Sequence, residues 1–185
     1  MCRWLSLTVL LTVATLAFAG IGDQDIDVTV VPAGDGLDVQ VSLRVRTRPE
    51  DTWSVLTDYA SMPRFVTNLD TSVVVERSAN TMRVEQAGSV HLGLLSFPFS
   101  TVRRIELDPY REIRSTIVGG NMKSSHFTTR LLHEGADTLI LQRGHVVSDL
   151  WIPPWIGPAV VAAETRRQWQ EFRREILRRA SQALP

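Results

Sequence analysis

Residues 49–68 read PEDTWSVLTDYASMPRFVTN, a helical sequence that stands between segments with the pattern of strands. Pro49 suits the first turn of a helix, and Glu50 and Asp51 favour the positive end of the helix dipole. Pro63 lacks an amide donor and interrupts the helical pattern. We therefore predict two short helices joined by a kink and set across the edge of a curved sheet.

The segments on both sides of this stretch have the period-two pattern of strands. In residues 37–45, apolar side chains alternate strictly with polar ones, as expected for a strand with one buried face and one wet face. Turn signals separate the later segments closely, which predicts an antiparallel meander. The predicted strands are residues 26–31, 37–47, 70–77, 81–92, 98–108, 111–118, 124–133 and 137–149, with a bend where Gly93 and Pro98 bracket LLSF.

The last part of the chain predicts one long amphipathic helix from Pro158 to about Ala183. Its apolar stripe recurs at helical spacing, and arginines and glutamates occupy mainly the other surface. A bent antiparallel sheet around such a helix, with two short helices after the first strands, is the helix-grip arrangement of the α+β class. The sequence thus predicts a single domain over residues 20–185.

The residues of the first helical stretch resemble a known pattern. Trp53, then LTDY at 56–59, then Met62-Pro63-Arg64-Phe65, resembles the START-like (SRPBCC) superfamily, in particular its polyketide cyclase/dehydrase and coenzyme Q-binding branch. The likeness covers most of the chain. It implies a cavity between the sheet and the last helix that holds a hydrophobic small molecule. Because this superfamily includes carriers, cyclases and regulators, the resemblance does not by itself select a function.

The first nineteen residues have the pattern of an export signal. Arg3 supplies a short positive region, Leu5 to Leu16 is apolar, and Ala17-Phe18-Ala19 is a small-x-small cleavage site. The apolar run is shorter than a membrane span requires. Cys2 is too far from the cleavage point for a lipoprotein signal. We therefore predict a periplasmic or secreted protein, cleaved near Ala19.

Composition excludes several classes of function. The formal net charge is +0, which does not suggest binding to nucleic acid. Cleavage of the signal removes Cys2, the single cysteine, so the mature chain has no thiol nucleophile or thiolate metal ligand. Phosphate-binding, dinucleotide-binding and nucleophile-elbow motifs are missing. No histidine pair has metal-ligand spacing. We predict no metal, no cofactor and no catalytic residue.

The predicted cavity lining is mostly aromatic, because ligand sites of this kind are apolar with a few polar groups. Its residues come from the first helices, the strands, the loop before the last helix and that helix itself. They are Trp53, Tyr59, Phe65, Phe97, Phe99, Phe127, Arg143, His145, Trp151, Trp155, Trp169 and Phe172. Trp151 and Trp155 are expected at the mouth. The alternative for each aromatic residue is ordinary core packing.

Two polar features allow two interpretations. Arg143 and His145 share a strand face with Leu139, Leu141 and Val147, so they either project into the cavity or reach solvent through a twist near Gly144. The arginine-rich surface of the last helix either forms pairs with its own glutamates or makes transient contact with anionic lipid. We favour the structural interpretation in both cases.

Three functions remain open for a chain of this kind. The first is a binding or carrier protein for a lipid, quinone or polyketide-like molecule. The second is a protein-interaction module whose interior is filled by side chains. The third is a cyclase/dehydratase-type enzyme that uses the same cavity. No acid/base pair stands out in the sequence, and export removes the protein from cytosolic biosynthesis, so the carrier is preferred and the enzyme is ranked last.

Overall fold

A computed structural model describes residues 26–92, 95–147 and 157–182. The predicted export signal, Gly93, Trp151 and Trp155 lie outside the described residues. The chain forms β1 (Ile26–Ala33), β2 (Gly36–Val45), α1 (Pro49–Leu56), a 3-10 helix (Tyr59–Arg64), β3 (Leu69–Arg77), β4 (Thr81–Leu92), β5 (Leu95–Asp108), β6 (Glu112–Gly120), β7 (Ser124–Glu134), β8 (Asp137–Val147) and α2 (Gly157–Gln182).

The strands form one antiparallel eight-stranded sheet in the order β1-β2-β8-β7-β6-β5-β4-β3. The six strands after the 3-10 helix follow each other as a meander, and β8 then pairs with β2, so the first hairpin extends the meander at one side. Gly34 (φ +58°) and Gly135 (φ +65°) occupy hairpin turns in the left-handed region that glycine adopts without strain. This is the predicted START-like helix-grip fold.

The stretch at residues 49–68 folds as its sequence indicates. Pro49 stands at the start of α1 with Glu50 and Asp51 in the first turn. Pro63 falls inside the 3-10 helix, whose hydrogen-bonding pattern differs from that of α1. The prediction of two short helices between β2 and β3 is confirmed.

The core is packed most densely near the turns β5–β6 and β7–β8. There Leu43, Ile105 and Ile140 on the sheet, together with Ile176 on α2, have no accessible surface. Register aligns Leu43, Ile140 and Leu131, since Ile140 lies opposite Leu43 on one side and Leu131 on the other. This end of the sheet, with α1 against it, is called the closed end below.

Helix α2 is tied to the segment that follows the 3-10 helix by polar contacts as well as by apolar packing. The buried carboxylate of Glu171 accepts hydrogen bonds from the Thr67 amide at 3.1 Å and the Thr67 hydroxyl at 2.6 Å. Two turns earlier, Glu164 accepts a bond of 2.6 Å from the Asn68 amide group and pairs with Arg167. A buried carboxylate satisfied in this way fixes the position of the helix.

Three other arginines of α2 also have partners in the protein. Arg178 and Arg179 bind Glu175 at 2.7 Å, and Arg179 also reaches Asp58 at 2.9 Å. Arg166 donates to the backbone carbonyl of Ile26 at 2.6 Å. These contacts favour the structural interpretation of the arginine-rich surface.

Glu175 predicts a measurable dependence of stability on pH. Hydrogen bonds from Arg178, opposed by partial burial and reinforced by Arg179, lower the pKa of Glu175 from 4.5 to about 2. Because the folded pKa is depressed, this stabilisation is complete above about pH 4.5 and is lost as the pH falls towards 2. After allowance for solvent screening we expect about 1 kcal/mol.

Urea unfolding at a series of pH values measures this contribution. Glu175→Gln should flatten the loss of stability between pH 4.5 and 2 by that amount. Glu76→Gln, a matched change at an exposed position of β3, should leave the profile as in the wild type. Equal profiles for Glu175→Gln and the wild type would contradict the assignment.

Within the described ranges, no helix combines the length and apolarity needed to cross a membrane.

Candidate functional site

The face of the sheet that looks towards α2 is identified by a direct contact. The indole nitrogen of Trp169 on α2 donates to the side-chain oxygen of Gln142 on β8 at 3.2 Å. Strand pairing then extends this inward face across the sheet, because residues paired directly on neighbouring strands point to the same side. The inward positions include Phe127 on β7, Ser115 on β6 and Arg103 on β5.

Burial along the inward face changes from one end of the sheet to the other. Most inward residues of the closed end are buried, whereas many of those nearer the opposite end keep part of their surface accessible. We call this opposite part of the sheet the open end; it comprises β5 up to Arg103, β7 up to Phe127, β6 from Ser115 and β8 from Gln142. Its partly accessible inward residues are Phe97, Phe99, Arg103, Ser115, Ile117, Phe127, Gln142 and Val146.

Arg103 is the charged residue of this inward face. Its guanidinium donates one hydrogen bond of 2.8 Å to the Ser115 hydroxyl on the neighbouring strand. Val84 and Ile117 flank it on the adjacent strands. Burial lowers the pKa of Arg103, although the side chain keeps accessible surface. Arg103 is thus largely surrounded by protein and still partly accessible, and we call the space beside it at the open end the recess.

Tyr59, from the 3-10 helix, faces the same interior. Its side chain is buried, and burial raises the pKa of its hydroxyl to about 12, while the charge of Arg103 acts in the opposite direction. The phenol is therefore a neutral hydrogen-bonding group at any physiological pH. Together, Tyr59 and Arg103 give the recess one neutral polar group and one cation.

Further polar groups form separate pairs along the inward face. Gln86 donates to Ser72 at 3.2 Å, and Gln142 donates to Thr129 at 3.1 Å while accepting from Trp169. The hydroxyls of Thr101 and Ser125 are buried and, in the part of the chain that the structure describes, have no hydrogen-bond partner. Polar groups on a mostly apolar concave surface are typical of a small-molecule site.

Three predicted aromatic residues lie on the inward face of the open end. Phe97 and Phe99 alternate along β5 on the face of Arg103, and Phe127 lies on the same face of β7. Phe127 packs over Gly144, where an added Cβ would come within 2.2 Å of the phenyl ring. Gly144 thus provides the space for this ring, and all three phenyl groups keep partial exposure.

A second aromatic cluster lies where α2 meets the 3-10 helix segment. Phe65 contacts Phe172 edge to face at 5.6 Å between ring centroids, and Phe172 contacts Trp169 at 5.5 Å. The guanidinium of Arg179 lies 5.9 Å from the ring centroid of Phe65. Because Trp169 and Phe172 are almost fully buried, these aromatic residues chiefly pack the helix against the domain.

Trp53 stands apart from the other predicted lining residues. It contacts Tyr110 in the β5–β6 turn at 5.7 Å between centroids, at the closed end. That turn and Phe97 lie at opposite ends of β5. The structure therefore does not bring Trp53 together with the aromatic residues of the open end.

Arg143 and His145 require a correction. They do share a face with Leu139 and Leu141, but β8 pairs without interruption through Gly144 with both neighbours, so no bulge turns them. Simple alternation from the inward-facing Gln142 places them on the outer face of the sheet. Their assignment to the cavity lining is wrong.

The outer-face environment of His145 is polar. Its Nδ1 donates to the Asp38 carboxylate at 2.7 Å, and its ring stacks on His126 at 5.9 Å between centroids. Across residues 26–92, 95–147 and 157–182, no group of three or more His, Cys, Asp or Glu side chains is arranged to hold a metal ion.

Two surface grooves lie away from the open end. One, of about 570 Å³, runs beside Arg77, Met82 and Arg104, and the other, of about 540 Å³, lies beside Arg44 and Leu177. Neither includes Tyr59, Arg103 or a phenyl ring of the open end. They are shallow features of the protein surface and do not form part of the candidate site.

Sequence reasoning missed Arg103, Ser115 and Gln142. The signal for Arg103 is present in the sequence, because the alternation of Phe97, Phe99, Ile105 and Leu107 places position 103 on their face. A charged residue within such an apolar alternation is a candidate polar group of a binding site.

Comparison with known proteins agrees with this architecture. The family model "Polyketide cyclase / dehydrase and lipid transport" matches residues 31–137, more than half of the chain. No curated protein sequence is significantly similar to the chain.

Several solved structures share the fold. A STAR-related lipid transfer protein from Xanthomonas axonopodis superposes with a TM-score of 0.71 at 12% identity, over 84% of this chain and 96% of that chain. The Zhui aromatase/cyclase from Streptomyces sp. R1128 gives 0.63 at 15% identity, over 80% and 95%. A START superfamily protein from Mycobacterium smegmatis gives 0.57 at 16% identity, over 78% and 97%. At such identities the likeness establishes the fold alone.

Proposed function

Because the chain belongs to the polyketide cyclase / dehydrase and lipid transport family, we propose that it binds and carries a hydrophobic small molecule between the sheet and α2. The observation that carries this proposal is the uneven burial of the inward face. Its closed end is packed, whereas its open end exposes phenyl rings beside one cation. The ligand class we propose is a lipid, a quinone or a polyketide-like molecule, and the proposed location is the periplasm or the cell exterior.

The chemistry of the recess favours a carrier over an enzyme. Cyclisation or dehydration needs a group that takes up a proton near neutral pH. Burial raises the pKa of Tyr59 to about 12, and Arg103 stays charged, so neither is such a base. His126 and His145, the described histidines of β7 and β8 at the open end, both lie on the outer face.

Native mass spectrometry of the protein purified from its producing cells tests the proposal. We expect an additional mass that is released on denaturation and identified by organic extraction. A ligand-free protein that also takes up no lipid, quinone or polyketide would reject the carrier and favour an interaction module with a filled interior. Chemical conversion of an added polyketide-like substrate would instead favour the enzyme.

Cell fractionation tests the proposed location. Export predicts that the mature protein, starting near Gly20, is recovered outside the cytoplasm. Recovery of the uncleaved chain in the cytoplasm would contradict this part of the proposal.

Tyr59→Phe tests the proposed orienting role of the phenol. Loss of one hydrogen bond to a ligand carbonyl or quinone oxygen should weaken binding about five-fold, because a buried neutral hydrogen bond contributes about 1 kcal/mol. Fluorescence titration with a quinone measures the effect. Tyr110→Phe, a matched change in the exposed β5–β6 turn, should bind as the wild type does. Unchanged affinity in Tyr59→Phe would reject the role.

A further inference from the structure

Arg103 lacks a counter-charge among the residues that the structure describes. Its one hydrogen-bond partner there is the uncharged Ser115 hydroxyl. Its remaining donor nitrogens have no hydrogen-bond partner among the described residues, and the side chain keeps part of its surface accessible. A guanidinium has five N–H donors, and most of these are therefore free to meet a ligand.

The surroundings of this charge are apolar. Val84 and Ile117 lie directly opposite Arg103 on the two adjacent strands, and Ile105 follows it on the same face. Removing a charge from water into such surroundings is costly unless an opposite charge meets it. Tyr59 is neutral and cannot supply that opposite charge.

We propose that the ligand carries a carboxylate that pairs with Arg103, with its hydrocarbon body against the aromatic residues of the open end. This inference rests on the proposed function and narrows the ligand class to anionic amphiphiles. A carboxylate carries one negative charge, which balances the one cation, and its two oxygens match the donor fork of a guanidinium. A phosphate monoester would bring a charge of about −1.5 to −2 at neutral pH and leave part of it uncompensated.

A set of ligands with one carbon skeleton tests this inference. Hexadecanoic acid, hexadecanol and methyl hexadecanoate compete with a fluorescent fatty acid for the ligand-free protein. We expect the acid to bind about 30-fold more tightly than the alcohol or the ester. Equal affinities would overturn the carboxylate inference and leave the proposed function standing. Failure of all three compounds and of neutral quinones to bind would reject both.

Variants at position 103 test whether the preference for the acid comes from the Arg103 side chain. Arg103→Met should reduce the acid-to-alcohol ratio to about one, and Arg103→Lys, which keeps the charge, should restore part of it. Arg104→Gln is the matched control, because Arg104 is the next residue on β5 and is exposed on the outer face. An unchanged ratio in Arg103→Met would contradict the assignment. Should Arg103→Met fail to fold, Arg103→Lys and the wild-type ligand series still decide the question.

Discussion

Alanine at position 140 is expected to lower the free energy of unfolding by about 4 kcal/mol. Ile140 has no accessible surface and lies opposite Leu43 and Leu131, which are also buried. Shortening it removes apolar contacts and leaves a cavity that neighbouring strands, held by their hydrogen bonds, can fill only in part. Substitutions of this kind cost about 2–5 kcal/mol, and the central position of Ile140 favours the upper part of that range.

Urea denaturation measures this loss, with Leu132→Ala as the control. Leu132 lies on the outer face of β7 beside Leu131 and is 43% exposed, so its truncation should cost less than about 1 kcal/mol. Similar losses for Ile140→Ala and Leu132→Ala would contradict the assignment of inward and outward faces on which the site depends.

Tryptophan at position 117 is expected to weaken ligand binding about 100-fold while the protein remains folded. Ile117 lies opposite Arg103 on the inward face and keeps part of its surface accessible. A larger side chain there extends into the recess and occupies space that the ligand needs. In a packed core the same change would force strain of about 1–3 kcal/mol, whereas an open recess accommodates it.

The adjacent residue supplies a matched control. Val118 is 51% exposed, and Val118→Trp adds the same side chain next to it on β6, outside the recess. Affinity for the co-purified ligand or a fluorescent lipid, together with urea unfolding, separates the two cases. A strongly destabilised Ile117→Trp would indicate a packed interior, and a stable Ile117→Trp with unchanged affinity would place the ligand elsewhere.

The fold could be predicted from local patterns in the sequence. Strict alternation over residues 37–45, the turn signals between later strands and the interrupted helix at Pro63 each determine structure over short distances. The long apolar stripe of α2 then packs against the sheet. These signals agree with one another, so the architecture follows without knowledge of long-range contacts.

The composition of the site was less predictable, since alternation defines two faces of a strand without showing which one is inward. Arg143 and His145 share a face with Leu139 and Leu141, but these leucines are themselves only partly buried, so the shared face does not show which side is inward. The hydrogen bond between Trp169 and Gln142 identifies the inward face, and it joins residues that are 27 positions apart in the sequence.

The size of Trp53 and the charge of Arg103 do not by themselves predict where these side chains lie. Trp53 was assigned to the cavity because large aromatic residues often line such sites, but its position in α1 brings it to the β5–β6 turn. Arg103 was overlooked because arginine is usually at the surface. Its place on the inward face becomes clear only when the alternation of apolar residues along β5 is continued through position 103.

Photoaffinity labelling shows where in the fold the ligand binds. A hydrocarbon probe with a photoreactive group, bound to the purified protein and irradiated, should attach to peptides that contain Phe97, Phe99 and Phe127. Excess unlabelled ligand should abolish the labelling. Attachment instead to the exposed outer-face residues Val73 and Val75, without protection by ligand, would contradict a binding site between the sheet and α2.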